Sequence, residues 1–399
     1  MKYIENKQEY GIEYDLKPII KKYKSLKIPS DVYTPPITVL EKAKYIFNLS
    51  DRSRGKTTNW LLLGMCFNSE YGTIIQYIRQ TEEMTRESYL KELFNVINTY
   101  DNGRYVLEIT NGYYNNVGYE RSTKTFYYRC IDDDGKEITR KEDYFCKVLS
   151  IDKNYDIKST YNAPMGDFII FDEFISKYYR INECINFFDL LSTIIRQRKS
   201  PVVIMLSNTI NRNSPYFEEF EISKEVKNMK SGDKKYITTP LGTVIYVELL
   251  EQNKTIKKKE HNRLFFGFSN PKLASITGSD GWSHEVVQHI PKKDDNMEVI
   301  ENRLYMEISP YEFLNIEIVR YNERNCLFVH RATKTYKDSI ILSNSAQYGN
   351  NILYGMGNRK INKLLLDALE TRTIYYSTNE VGSDFKNYIR IAKQNKYDL

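Results

Sequence analysis

Residues 45–63 read Tyr45-Ile46-Phe47-Asn48-Leu49-Ser50-Asp51-Arg52-Ser53-Arg54-Gly55-Lys56-Thr57-Thr58-Asn59-Trp60-Leu61-Leu62-Leu63. A short apolar run gives way to polar and glycine positions and then to a second apolar run, the pattern of strand, loop and helix. The loop has the form Ser50-x-x-x-x-Gly55-Lys56-Thr57. Such a loop turns its backbone N–H groups onto the β- and γ-phosphates of a nucleotide. Lys56 would neutralise phosphate charge, and the Thr57 hydroxyl would be a ligand for Mg²⁺. Ser50 stands where the pattern has glycine, a place that a residue with a Cβ can take when its backbone avoids positive φ. The candidate nucleotide contacts are therefore Ser50, Arg52, Ser53, Arg54, Gly55, Lys56, Thr57 and Thr58.

Downstream, Phe168-Ile169-Ile170-Phe171 is a continuous apolar run, as expected of a strand buried on both faces, and it ends in Asp172-Glu173. Asp172 is the candidate metal acid and Glu173 the candidate base that polarises an attacking water. Adjacent acids after a strand are by themselves often a solvated turn; the phosphate loop upstream is what gives this pair its meaning. Val202 to Leu206 forms another buried strand with a polar tip, Ser207-Asn208. In nucleotide-hydrolysing sheets that carry a glutamate beside the metal acid, such a strand lies between those of the two motifs, and Asn208 reads either as a γ-phosphate sensor or as an ordinary strand-to-turn asparagine. Arg196-Gln197-Arg198-Lys199 closes the helix expected over 183–198. It reads either as a basic end that complements the helix dipole or as an arginine finger directed at a neighbouring subunit's nucleotide.

The rest of the chain is organised around this core. A short helix and an extended lead-in occupy the first ~40 residues. A strand is expected over 72–78, a helix over 81–100 and β-hairpins over 104–150, with turns at Asn102-Gly103 and Asp133-Asp134-Gly135. Strand–helix alternation predicts an α/β fold with a parallel sheet, here a P-loop NTPase domain with inserted hairpins. Residues 1–250 are assigned to that domain, 251–300 to a linker and 301–399 to a smaller α+β domain. Strands are expected in the smaller domain near 313–321, 326–331 and 339–342, with a helix near 359–371.

The 399 residues carry a net charge of +6, with 28% charged and 41% hydrophobic residues. The charge is a mild lean toward polyanions, and the Lys254–Lys259 run reads as a solvated linker or as a nucleic-acid contact. The 34 tyrosines fit base stacking or a biased codon usage, the latter carrying more weight. No apolar run approaches the ~18 residues that span a bilayer, and Met1 to Tyr10 lacks the apolar core of an export signal, so a soluble chain that is not exported is expected. Five scattered cysteines argue against a disulfide framework or a zinc site. His284 and His289 are about 140° apart around a helix and do not make a zinc-protease pair. The turn at Asp132 to Gly135 lacks the spacing of a calcium loop.

Taken together, Ser50-Asp51-Arg52-Ser53-Arg54-Gly55-Lys56-Thr57, Ile169-Ile170-Phe171-Asp172-Glu173-Phe174, the helix end at Arg196 and the strand ending in Asn208 resemble the DNA-packaging ATPases (DNA encapsidation proteins) of phi-twenty-nine-type small podophages. These are relatives of the large terminases in the additional-strand, catalytic-glutamate (ASCE) class of ring motors. The resemblance is most specific over residues ~45–220. It implies ATP and Mg²⁺ as nucleotide and metal. It also implies a loop arginine at Arg52, a metal acid at Asp172, a catalytic glutamate at Glu173, a trans-acting finger at Arg196, and a second trans-acting basic residue at Lys158 of Lys158-Ser159. The partners it implies are double-stranded DNA, copies of the chain in a pentameric ring, the portal (connector) of a procapsid and a structural packaging RNA; the place is the host cytoplasm, at the portal vertex. The C-terminal domain would be RNase H-like and vestigial, since Glu317 has no evident acidic companion and a nuclease needs several carboxylates around paired metals. Rival readings are a nuclease-competent terminase, a helicase-type motor of the same class, and a nucleic-acid-binding scaffold that does not hydrolyse ATP.

Overall fold

The computed structural model describes residues 13–50, 55–153, 166–175, 183–208, 214–250, 288, 296–309, 312–332, 334–344 and 351–395. Arg52, Ser53, Arg54, Lys158, the Lys254–Lys259 run, His284 and His289 lie outside them. The described residues divide into two units, one up to Leu250 and the other from Gln288 onward.

In the first unit, helix α1 (Leu16–Ser25) precedes β1 (Tyr45–Leu49), α2 (Lys56–Tyr71), β2 (Ile75–Arg79), α3 (Glu87–Thr99) and α4 (Arg104–Ile109). There follow β3 (Asn116–Glu120), β4 (Thr125–Ile131), β5 (Glu137–Ser150), β6 (Phe168–Asp172), α5 (Glu183–Ile195) and β7 (Val202–Ser207). Two short helices, α6 (Pro215–Glu219) and α7 (Ser223–Lys227), lead to the hairpin of β8 (Lys234–Thr238) and β9 (Val244–Leu249). The strands form one sheet in the order β3-β4-β5-β2-β6-β7-β1-β9-β8. The six strands from β5 to β9 are all parallel, and antiparallel hairpins close both edges. This is a mixed α/β fold built on a mostly parallel sheet. Strand β7 lies between β1 and β6.

The central strands read as continuous apolar runs because both faces of the sheet are covered. On one face α2 packs with α1, α3 and α4; it is apolar nearly all round, from Trp60 to Phe67, as a helix enclosed on every side must be. Gly64 lets it approach closely, since a Cβ there would come within 2.7 Å of Ile75 and 3.0 Å of Phe168. On the other face Phe47, Phe171, Phe174, Phe187, Tyr216 and Phe217 stack into an aromatic layer under α5 and α6.

Residues 104–109, expected to begin a hairpin, are instead helix α4. Gly103 enters it at φ +79, and Tyr105, Val106 and Ile109 bury one helical face. The helix expected over 81–100 is divided into a 3₁₀ turn (Glu82–Thr85) and α3.

The second unit holds β10 (Glu298–Ser309), β11 (Glu312–Tyr321), β12 (Arg324–Ala332), β13 (Ile340–Ser343), β14 (Ile352–Tyr354), α8 (Arg359–Glu370), β15 (Ile374–Tyr376) and α9 (Asn379–Asn395). Its sheet order is β14-β13-β10-β11-β12-β15. β10, β11 and β12 form an antiparallel meander; β13 joins β10, β14 joins β13 and β15 joins β12, each in parallel. One face packs on α8 and α9 through Leu314, Ile316, Leu327, Leu365 and Phe385.

Candidate functional site

Parallel α/β sheets bind ligands at the C-terminal ends of their strands, and there β1, β6 and β7 bring the motif residues together. Ser50 leaves β1 with its N–H donating to Ser207 O at 3.2 Å. Gly55 begins α2 at φ +70, in the left-handed region open to glycine, and a Cβ at this position would sit 2.5 Å from Val32 Cγ1. Asn59 Nδ2 donates to Gly55 O at 2.9 Å, and the Tyr23 hydroxyl donates to Asn59 Oδ1 at 3.0 Å, which fixes the start of the helix.

Lys56 is 3% exposed. Its ammonium donates to Asn208 Oδ1 at 2.9 Å and to Ser50 Oγ. The Thr57 hydroxyl donates to Asp172 Oδ1 at 3.1 Å. Thr58 follows in the first turn of α2. The structure thus places Ser50, Gly55, Lys56, Thr57, Asp172 and Asn208 in one cluster around the N-terminus of α2, where unsatisfied helix N–H groups favour an anion.

Asp172 Oδ2 accepts from the Tyr77 hydroxyl at 2.6 Å and from Arg79 Nη1 at 3.0 Å. The other Arg79 terminal nitrogen donates to Glu173 Oε2 at 2.8 Å. One guanidinium therefore aligns both acids. Burial alone would lower the proton affinity of Arg79, but Tyr77 and the carboxylates of Asp172 and Glu173 outweigh it and raise it, so the residue stays cationic. Burial, and next the charge of Asp172, push the Tyr77 phenol well above its ordinary pKa and keep it a donor.

Glu173 sits at φ +56, a conformation that costs a side-chain-bearing residue on the order of 1 kcal/mol. The next residue enforces it. Phe174 N–H donates to Leu206 O at 3.1 Å, its carbonyl accepts from Gln80 Nε2 at 2.9 Å, and its ring is buried against Phe47.

Arg196 is not brought to this cluster. It ends α5 at φ +52. Two residues later Arg198 pairs with Asp167, just before β6 begins. Asp167 and Asp172 lie at opposite ends of that strand, about 16 Å apart at a ~3.3 Å rise per residue. Tyr77, Arg79 and Gln80 were not singled out from sequence. The usable signal is the place of Tyr77 and Arg79 on β2, two apart and on the face that Asp172 shares, with Gln80 just beyond the strand, and that signal appears only once β2 is known to adjoin β6.

A divalent metal fits these residues. The Thr57 hydroxyl and the Asp172 carboxylate are hard oxygen donors, the kind Mg²⁺ prefers, and the crowding at Gly55 leaves room only for bare backbone beside the helix start. In the second unit, Glu317 is buried in mid-strand with Oε1 3.4 Å from His330 Nε2. Among the described residues no group of three or more His, Cys, Asp or Glu could hold a metal ion, and no helix is long and apolar enough to cross a membrane.

No model of a known protein family matches the chain, and no curated protein does. Solved structures do match. The Phi-28 gp11 DNA packaging motor superposes with a TM-score of 0.54 at 14% identity, over 92% of this chain and 99% of that one. The bacteriophage Phi-29 viral genome packaging motor assembly gives 0.53 at 16% identity, over 91% and 100%. A Thermus phage P74-26 large terminase ATPase domain gives 0.36 at 14% identity, over 66% and 99%, a likeness that carries no weight. At these identities the likeness is one of fold, and the fold is that of the two phage packaging motors.

Proposed function

We propose that the chain is an ATP-hydrolysing motor that drives double-stranded DNA into a phage procapsid. The observation that carries this reading is the 3.1 Å bond between Thr57 and Asp172, which joins the start of α2 to the end of the acid strand. The position of β7 between β1 and β6 supports it, because that is the strand order of ASCE-class P-loop sheets. Within the site Lys56 binds phosphate, Thr57 and Asp172 hold Mg²⁺, and Asn208, bonded to Lys56, senses the γ-phosphate. Bound Mg²⁺ would neutralise the charge that develops on the transferred phosphoryl group. Glu173 orients and deprotonates the attacking water, and Arg79 holds its carboxylate in line with Asp172.

Arg196, at the other end of the sheet from its own site, serves as a finger for a neighbouring subunit's nucleotide in a ring that the resemblance gives as a pentamer. Arg52, Ser53, Arg54 and Thr58 would complete the set of nucleotide contacts, and Lys158 would be a second trans-acting basic residue. DNA would be held by its phosphates, which makes the motor sequence-indifferent and salt-sensitive. In the second unit, five strands follow the order 3-2-1-4-5 when numbered along the chain, which supports an RNase H-like domain that docks rather than cuts. The portal and a packaging RNA would be its partners at the portal vertex.

The test is ATP hydrolysis with and without duplex DNA, at protein concentrations that span assembly. Strong stimulation by duplex that rises with assembly is expected. Activity indifferent to DNA and to concentration would overturn the reading, and a metal-dependent nick in plasmid DNA would point to a nuclease-competent terminase.

A further inference from the structure

Asp172 is 6% exposed, and its two oxygens are treated differently. Oδ2 receives two donors, the Tyr77 hydroxyl at 2.6 Å and Arg79 Nη1 at 3.0 Å, whereas Oδ1 faces Thr57. We propose that Tyr77 is a positioning residue that makes Asp172 a one-oxygen metal ligand and so sets the preference of the site for Mg²⁺ over the larger Ca²⁺. The inference rests on the nucleotide–metal reading given above.

The geometry leaves Tyr77 little freedom. It lies in β2 opposite Ile170 of β6, is 2% exposed, and shares the sheet face covered by α2. Its hydroxyl reaches Asp172 Oδ2 at 2.6 Å, and the carboxylate oxygen can only accept, so the phenol is the donor. A phenylalanine would fill the same space, so the hydroxyl adds little to packing and its consequence falls on Asp172. Calcium takes six to eight oxygens and often both oxygens of one carboxylate, while magnesium takes near-octahedral single contacts. A carboxylate with one oxygen already saturated suits the smaller ion. The plain alternative is that a buried phenol needs some partner and Asp172 happens to be near. The two accounts differ in whether the hydroxyl changes metal choice.

The experiment is equilibrium binding of a fluorescent, non-hydrolysable ATP analogue to the full chain with Mg²⁺ or Ca²⁺, so that the readout is affinity rather than turnover. In Tyr77→Phe the affinity with Ca²⁺ relative to Mg²⁺ should rise by about tenfold, the scale of one hydrogen bond to a charged group. A fluorinated tyrosine at 77, a stronger donor of the same shape, should move the ratio the other way, and it decides the matter if the phenylalanine variant does not fold. Ratios within about twofold of wild type would overturn the proposal while the site reading stands. Wild-type binding that responds neither to metal nor to Lys56→Ala would remove the site reading, and this inference with it.

Discussion

Asp172 in the first unit and Glu317 in the second are both carboxylates buried in a sheet, 6% and 4% exposed. Asp172 ends its strand and meets the hydroxyl of Thr57 at the start of α2, with Glu173 next in the chain. Glu317 lies in the middle of β11 and faces an imidazole, His330, on the adjacent strand. The first arrangement opens on a helix N-terminus, where an anion and its metal gain from the dipole and the unsatisfied N–H groups. The second closes an acid against a base inside the sheet. What separates the two buried acids is the position on the strand and the element each one faces, rather than burial.

The largest effect that would sharpen this contrast is at Arg196. Arg196→Ala alone should lower ATP turnover by about 10³-fold or more, the scale of an arginine finger. Mixing it with Lys56→Ala should restore part of the activity, since each variant would supply what its neighbour lacks. No recovery in the mixture would remove the trans assignment. Next, Glu173→Gln should reduce turnover by about 10²–10⁴-fold with nucleotide affinity retained, as expected for loss of a general base. Near-normal turnover in that variant would transfer the role elsewhere. At the small end, Glu317→Gln should leave ATP turnover within about twofold of wild type, in keeping with the small effects of changes remote from a site. A loss comparable to that of Glu173→Gln would break the distinction between the two acids.

The central strands were legible in the sequence because full burial writes itself as unbroken apolar runs. Phe168 to Phe171 and Val202 to Leu206 lie in strands with every residue buried. The loop and its acids stood out because binding a nucleotide and its metal would need those residue types at those places. Arg79 was not, since an arginine that ends Ile75-Gln76-Tyr77-Ile78 looks like a solvated strand terminus until strand order sets it beside Asp172. Strand β10 escaped because its register shifts between Val299 and Leu304 break the alternation that would reveal it. Helix α4 has only six residues, too few to show a helical period against a tyrosine-rich background. The handedness of Glu173 is set by Gln80 and Leu206, distant residues that hold Phe174, and no local pattern encodes it.

Nucleotide binding between the start of α2 and the end of β6, which the Thr57–Asp172 bond joins, is the premise of the proposed motor. Its most direct test is affinity for a fluorescent ATP analogue, with and without Mg²⁺, in wild type, Lys56→Ala and Asp172→Asn. Wild type should bind more tightly with the metal. Lys56→Ala should bind at least about tenfold more weakly in either condition, as befits loss of a charged hydrogen bond, and Asp172→Asn should lose only the enhancement by metal. Equal affinities in all three proteins, unmoved by Mg²⁺, would contradict it.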